Sequence, residues 1–339
     1  MSTAQRPGKR ATIIEVAKLA GVSHQTVSRY LRSDGGMREE TRDRIRAAVE
    51  ELGYRPNIAA RAMRDRRTGR LALLLPKGGA ISSLEVLEGA TEAAGAHGYV
   101  VEAVTLGGEP QSRHLRVLEL ADCGLFEGLV SLSPIPEIER LGPTLQTPIA
   151  VETQYDESMR GIGDLADASI VSELVQGLAR LGHRTFVHVA GNYTNTSARE
   201  RRDVYLKTIE RLGLRSAGVI ETGWDPERAR AGVLDLSAAD GVTAVIAAND
   251  QLAAGVVRGA VERGWRVPED LSVTGWDNTV VGAMLPPGLT SVSVDFHRIG
   301  RRAINRLLAL LGAGQVEVEP DAPLTEIVWR GSTGPPGSP

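Results

Sequence analysis

The sequence predicts an α/β chain: an all-α helix-turn-helix head followed by a two-lobed body of two doubly wound parallel sheets. Three observations predict it. Residues 12–32 (TIIEVAKLAGVSHQTVSRYLR) hold two short helical patterns around a glycine turn. From Leu71 onward apolar runs of strand length alternate with helical periodicity, and the series occurs twice. Charge divides with the chain: residues 1–70 carry net +8, whereas residues 71–339 carry −11 of the total −3.

Taking the elements in order, Thr12 and Glu15 have the T-x-x-E spacing of a capping box, so a helix begins at Ile13. Val16, Leu19 and Ala20 give it an apolar face, and Gly21 ends it where a left-handed backbone is cheapest. Ser23 caps a second helix on which Val27, Tyr30 and Leu31 share one side. His24, Gln25, Ser28 and Arg29 share roughly the opposite side. On spacing alone this is either a DNA-reading helix-turn-helix or a solvated hairpin. The basic head on an acidic body favours the nucleic-acid partner. A third helix, Arg38 to Leu52, places Ile45, Val49 and Leu52 at helical spacing and closes the bundle.

Beyond YRPN (54–57), the Ala-rich stretch 58–64 is too short to be a stable helix alone, so it needs a partner to order it. RDRRTGR (64–70) is a basic linker. The expected domains are a helix-turn-helix over 11–56, a hinge helix and linker over 57–70, and a body over 71–332. Residues 333–339 (TGPPGSP) have the composition of a disordered tail.

In the body, strands are expected at 71–75, 99–105, 128–132 and 148–152, with helices over 82–97 and 111–122 between the earlier ones. The second series predicts helix 168–181, strand 185–190, helix 198–212, strand 217–221, helix 226–235, strand 244–248, helix 250–263 and strand 271–276. Strand 290–294, a helix over 297–312 and strand 325–329 cross back between lobes. The expected lobes are 71–165 with 294–322, and 166–293 with 323–332. Ligands bind such sheets at the carboxyl ends of the strands.

Composition bounds the function. No apolar run approaches the ~20 residues of a membrane span. The basic N-terminus lacks a following apolar stretch, so the expected location is the cytoplasm, at the nucleoid, with no membrane partner. The single cysteine, Cys123, cannot make an intrachain disulfide or a thiolate cluster. There is no G-x-S-x-G and no metal-spaced histidine cluster, and GIGDLA (161–166) follows no strand. An enzyme is not expected, nor a cofactor or metal.

The motifs VAKLAGVSHQTVSR, TRDRIRAAVEELGYRPN, RLGHRTFVHVAG, AANDQLAAGV, LSVTGWDN and SVDFHRIG occur in the order of the lactose-repressor (LacI/GalR-type) family of bacterial transcription regulators. The chain resembles that family over about residues 11–332. The resemblance implies a helix-turn-helix, a hinge helix and a periplasmic-binding-protein-like core. It puts His24, Gln25 and Arg29 at base-reading positions, where arginine suits guanine and glutamine suits adenine. Thr12, Ser23, Thr26, Ser28 and Asn57 then hold phosphates. Ala60 and Met63 belong to the hinge, Met63 standing where a leucine usually wedges into the minor groove.

The resemblance further implies an effector site of Glu152, Arg199, Trp224, Asn249, Asp277 and Phe296, closest to the lactose-responsive type. Glu152 replaces an expected aspartate. A carboxylate, an amide and an arginine at strand ends can bond vicinal hydroxyls while an aromatic ring stacks on a sugar face. The implied partners are double-stranded operator DNA, a small saccharide such as a glycoside or disaccharide, a galactoside among them, and a second copy of the chain. A homodimer is expected because the C-terminus lacks a leucine heptad. The expected function is a repressor released by that saccharide. The alternative is a purine- or phosphosugar-responsive corepressor-type regulator.

Overall fold

The computed structural model describes residues 11–31, 37–54, 67–76, 82–136, 145–158, 160–316 and 322–337. Two compact units result, Met1–Gly69 and Arg70–Pro339. The hinge positions Asn57, Ala60 and Met63, with the helix expected over 58–64, lie outside the described residues.

The first unit contains α1 (Ile13–Ala20), α2 (His24–Leu31) and α3 (Glu39–Glu51). Both halves of the capping box form. The Thr12 hydroxyl accepts from the Glu15 amide at 3.3 Å, and the Glu15 carboxylate accepts from the Thr12 amide at 2.7 Å. Gly21 closes α1 with φ 63°, a left-handed cap. Ser23 Oγ accepts from the Thr26 amide at 3.2 Å and so starts α2. Val16, Ala17 and Ala20 of α1 meet Val27 of α2 and Ile45 and Ala48 of α3 in one small core, edged by Tyr30 and Leu31.

The second unit begins with a four-stranded sheet. Its elements are β1 (Arg70–Pro76), α4 (Ser82–Ala96), β2 (Val100–Leu106), α5 (Pro110–Asp122), β3 (Gly128–Ser131) and β4 (Ile149–Val151). The strand order is β2-β1-β3-β4, every pair parallel. Alternation decides which face each side chain serves. Leu71, Leu73 and Leu75 join the core on one face, with Val86 and Ala90 of α4, and Ala72 and Leu74 join the other, with Val117 and Leu120 of α5.

The six-stranded sheet follows. It is built from α6 (Ile170–Leu181), β5 (Thr185–Ala190), α7 (Thr196–Arg211), β6 (Arg215–Glu221), α8 (Pro226–Leu234), β7 (Ala244–Ala247), α9 (Asp250–Glu262), β8 (Ser272–Trp276), α10 (Val280–Met284) and β9 (Thr290–Val294). The chain then crosses to the first lobe as α11 (Phe296–Leu310) and returns as β10 (Thr325–Val328). Strand order is β10-β9-β8-β7-β5-β6. Here too each face has its own core, Val187 and Val189 on one and Phe186 with Tyr205 on the other. α11 crosses α4 at two glycines: a Cβ on Gly300 would lie 1.9 Å from the Val86 carbonyl oxygen, and one on Gly89 would lie 1.9 Å from that of His297. Only glycine permits backbones this close, which fixes the start of α11 beside the sheet ends.

Two expectations need correction. The second sheet is not wholly parallel, because β10 returns from the first lobe and lies antiparallel on β9 at the edge. Nor are residues 333–337 a disordered tail. The segment after β10 docks on the second lobe through polar backbone bonds that composition does not reveal. Ser332 is fully buried, and its Oγ donates to the Val273 carbonyl at 2.6 Å. The Gly334 carbonyl accepts from His183 Nε2 at 2.8 Å, and the Gly337 amide donates to the Glu269 carbonyl at 2.9 Å. Among the described residues no helix is long and apolar enough to cross a membrane.

Candidate functional sites

On the head, α2 turns Val27 inward and leaves His24, Gln25 and Arg29 exposed, with Thr26 and Ser28 half-buried. The three exposed side chains are long hydrogen-bonding groups on the outer face of a helix whose other face is packed. Thr12 and Ser23 spend their hydroxyls locally, Thr12 in the capping box and Ser23 on Thr26 Oγ1 at 2.9 Å. A hydroxyl has two lone pairs and one proton, so such a group can bond its own helix and still meet a phosphate.

In the body the deciding feature is where strand order reverses. β5 is flanked by β6 and β7, and the helices that follow β5 and β7 pack on opposite faces of the sheet, which leaves a crevice at the carboxyl ends of these strands. Asn249 stands two residues after β7, and its Oδ1 caps α9 by accepting from the Leu252 amide at 2.8 Å. That use leaves the amide NH2 end as the group able to serve a ligand. Asp277 directly follows β8 and Phe296 follows β9, while Trp224 lies in the turn after β6. These four expected residues therefore share the carboxyl edge of one sheet.

Trp224 is held with care. Its backbone is left-handed (φ 74°), and its indole Nε1 donates to Asn195 Oδ1 at 3.3 Å. The ring lies on Gly191, the residue after β5, where an added Cβ would come within 2.4 Å of it. A left-handed tryptophan is costly and persists where the surroundings over-determine it, as binding sites do.

Asp277 also has a positive φ, 95°. Its carboxyl keeps a face open to solvent but is otherwise recessed among strand ends. Burial raises its pKa to about 6, the Asp250 charge raises it further, and the Arg201 cation pulls it back.

Arg201, not among the expected residues, is the arginine that reaches the strand ends. Arg199 was expected in the site, but its guanidinium bonds the Tyr193 carbonyl and Thr196 Oγ1, within its own loop. Arg201 is buried instead. It lies 3.8 Å over the Trp276 ring and donates to the Ala248 carbonyl at 2.5 Å, between the ends of β7 and β8. A signal existed in the sequence: Ala198, Arg201, Tyr205, Thr208 and Ile209 form the buried stripe of α7, so an arginine occupies a core position of an amphipathic helix.

Glu152 does not join the others. It follows β4 in the four-stranded sheet, and its carboxylate pairs with Arg302 at 2.8 Å and Arg306 at 3.3 Å on α11. Arg302 also pairs with Asp164. A cavity of about 360 Å³ opens beside Phe296, bordered by Glu85, Ser293, Asp295, His297 and Glu326, at the crossing between lobes.

With this geometry in view, comparison with known proteins decides the assignment. Residues 12–57 match bacterial regulatory proteins of the lacI family, and residues 175–333 match the periplasmic binding protein-like domain. The chain thus joins a helix-turn-helix domain of the lacI type to a periplasmic-binding-protein-like domain. It is 28% identical to the HTH-type transcriptional repressor PurR of Haemophilus influenzae, over 88% of this chain and 90% of that one. The HTH-type transcriptional regulator DegA of Bacillus subtilis is also 28% identical, over 96% and 99% of the two chains. A solved lac repressor dimer, bound to operator and the anti-inducer ONPF, superposes with a TM-score of 0.72 at 25% identity, covering 96% of this chain and all of that one. With a DNA-binding domain of the lacI type and regulators among its near full-length relatives, the chain is a DNA-binding transcriptional regulator. The likeness is to the family, and identity at this level does not single out the lactose-responsive type.

Proposed function

We propose that the chain is a homodimeric repressor acting in the cytoplasm at nucleoid DNA, released from a pseudo-palindromic operator by a small saccharide. The observation that carries the effector half is that Asn249, Asp277, Phe296 and Trp224 share the carboxyl edge of the six-stranded sheet, where Arg201 is buried against Trp276. A carboxylate accepts from two vicinal hydroxyls, a guanidinium donates to others, and Asn249 adds an amide. Trp224 or Phe296 offers a ring for a sugar face. Glycosides and disaccharides have this chemistry.

On the DNA, His24, Gln25 and Arg29 read base edges, while Thr12, Ser23, Thr26, Ser28 and Asn57 hold phosphates. Residues 57–70 act as hinge and linker, with Ala60 and Met63 at the centre of the site. Arg199, by this reading, shapes the loop that carries Tyr193. Self-association is supported by α10, whose Val280, Val281 and Met284 are 80%, 72% and 75% exposed. Three neighbouring apolar side chains left in water on one short helix suit a partner surface.

A second reading, a purine-responsive corepressor, is favoured by the likeness of nearly the whole chain to the repressor PurR. A planar base would stack on an aromatic ring and meet Arg201 as an acceptor. The experiment is a gel-shift titration on an operator selected by the full chain from random duplexes. Release by galactosides or cellobiose, with no effect of purines, is expected. Tighter operator binding with hypoxanthine or guanine would overturn the saccharide reading in favour of the second.

A further inference from the structure

The loop carrying Asp277 is conformationally expensive. Asp277 and Asn278 are successive non-glycine residues at φ 95° and 47°. A left-handed backbone is unfavourable for a residue with a Cβ, so something must hold them there. The Asp277 amide donates to the Val292 carbonyl at 2.9 Å, and the Asn278 amide donates to Ser291 Oγ at 3.0 Å. On the far side Asp250 accepts from the Thr279 amide and hydroxyl at 2.6 and 2.9 Å, and from Ser291 Oγ at 2.6 Å.

The remaining tether comes from a distant part of the chain. Arg330 Nη2 donates to Asn278 Oδ1 at 2.6 Å, and its Nη1 donates to the Leu289 carbonyl at 2.7 Å. Asn278 in turn donates from Nδ2 to Ser293 Oγ at 3.3 Å. Arg330 cannot drift, because its own amide bonds Thr290 Oγ1 at 2.8 Å and Ser332 beyond it is buried. It also stands two residues after β10, the strand by which the chain returns from the first lobe.

We propose that Arg330 is a positioning residue for the effector loop. It clamps the side chain of Asn278 and so keeps Asp277 in the left-handed geometry that presents its carboxylate at the sheet edge. Because it stands two residues after the returning strand, any shift of that strand is passed to the carboxylate without contact between Arg330 and ligand. The consequence for binding rests on the reading of Asp277 as an effector ligand, whereas the clamp itself does not.

The test is amide hydrogen exchange on the full-length chain, with o-nitrophenyl galactoside and cellobiose as binding probes. In Arg330→Ala the Asp277 and Asn278 amides should exchange at least tenfold faster, while amides of β5 and α6 keep their wild-type rates. Asn278→Ala removes the same bond from its other end and leaves the Arg330 bond to Leu289, so it should reproduce the local effect. The double variant should add nothing to either. A probe that binds wild type should bind Arg330→Ala at least tenfold more weakly. Unchanged exchange at 277 and 278 in either variant, or a rise spread evenly over the sheet, would overturn the proposal. If wild type binds neither saccharide while the local exchange effect is present, the clamp stands and the saccharide reading is what fails.

Discussion

Arg201 lies over the ring of Trp276, its guanidinium carbon 3.8 Å from the ring centroid. Burial lowers its pKa to about 10, still far above neutral, and Asp277 supports the charge. A cation in this position is costly unless a specific task or partner offsets the desolvation. Arg201→Met keeps much of the volume but removes the charge and all five donors. It should weaken saccharide binding at least tenfold by calorimetry. Arg201→Lys should rescue little, because an ammonium neither covers the indole nor forks between acceptors. Wild-type affinity in Arg201→Met would remove this residue from the site.

Asp277 makes effector binding depend on pH. With a pKa near 6, the carboxylate that accepts two hydroxyl bonds is present above that pH and is protonated below it. Saccharide affinity should therefore fall several-fold between pH 7.5 and 5, and Asp277→Asn should bind more weakly with a flat profile. The stability linkage has its own sign. A raised pKa favours the folded chain at low pH, and that contribution disappears as pH rises through about 6. The open face of the side chain keeps it small. A pH-independent affinity in wild type would contradict the ionisation assigned to this group.

His188 carries the larger stability effect, of opposite sign. It is fully buried on β5, stacked on Tyr205 at 5.2 Å, and its Nδ1 bonds the Ile246 carbonyl at 2.9 Å. A carbonyl only accepts, so Nδ1 bears the proton of a neutral ring. Burial lowers the pKa to about 4, with Arg201 and Arg202 adding to the fall. The unfolded chain then binds a proton more readily, so stability present above about pH 6.5 is lost as pH falls towards 4, on the order of 3 kcal/mol. Melting temperature should drop across that window in wild type, and His188→Asn, which retains a donor but does not titrate, should flatten it. An identical slope in both proteins would place the acid sensitivity elsewhere.

These residues show what sequence can and cannot convey. The capping box of Thr12 and Glu15 and the alternation of LALLL with helical segments are local, so the observed helices and strands follow the expected ones within a few residues. Asn249, Asp277 and Phe296 come one or two residues after strands, and a strand end is legible wherever an apolar run stops. Arg199 and Arg201 were harder to separate. Both sit on the first turns of α7, and only the phase of the helix against the sheet decides which one is buried. The docked tail was illegible for another reason: its bonds to Ser272, Val273 and His183 join residues at least 59 positions apart, and glycine and proline in its composition read as disorder.

Arg29 offers the direct test of the head. It is exposed on α2 beside Gln25 and can pair bidentately with a guanine edge. Arg29→Ala should cost about 1–3 kcal/mol in binding to the selected operator and relax the base preference at one position of each half-site. Gel shifts with the operator and its single-base variants measure both. A uniform loss across all variants would make Arg29 a phosphate contact, and no loss would remove it from the interface.

The tail can be tested through Ser332. Its Oγ donates to the Val273 carbonyl at 2.6 Å and accepts from the Thr290 amide at 2.8 Å, both in the interior between β8 and β9. Ser332→Ala strips a partner from two buried backbone groups and leaves room for no obvious replacement. An unsatisfied buried polar group costs about 1–3 kcal/mol, so urea unfolding should shift by that order with the slope unchanged. Removing residues 333–337 should add to the loss, because Gly334 also bonds Ser272 and His183. His183 would then be left with Thr243 alone, at 2.9 Å. If the truncated chain unfolds at the wild-type urea concentration, the tail bonds contribute nothing to stability and the segment behaves as its composition suggests.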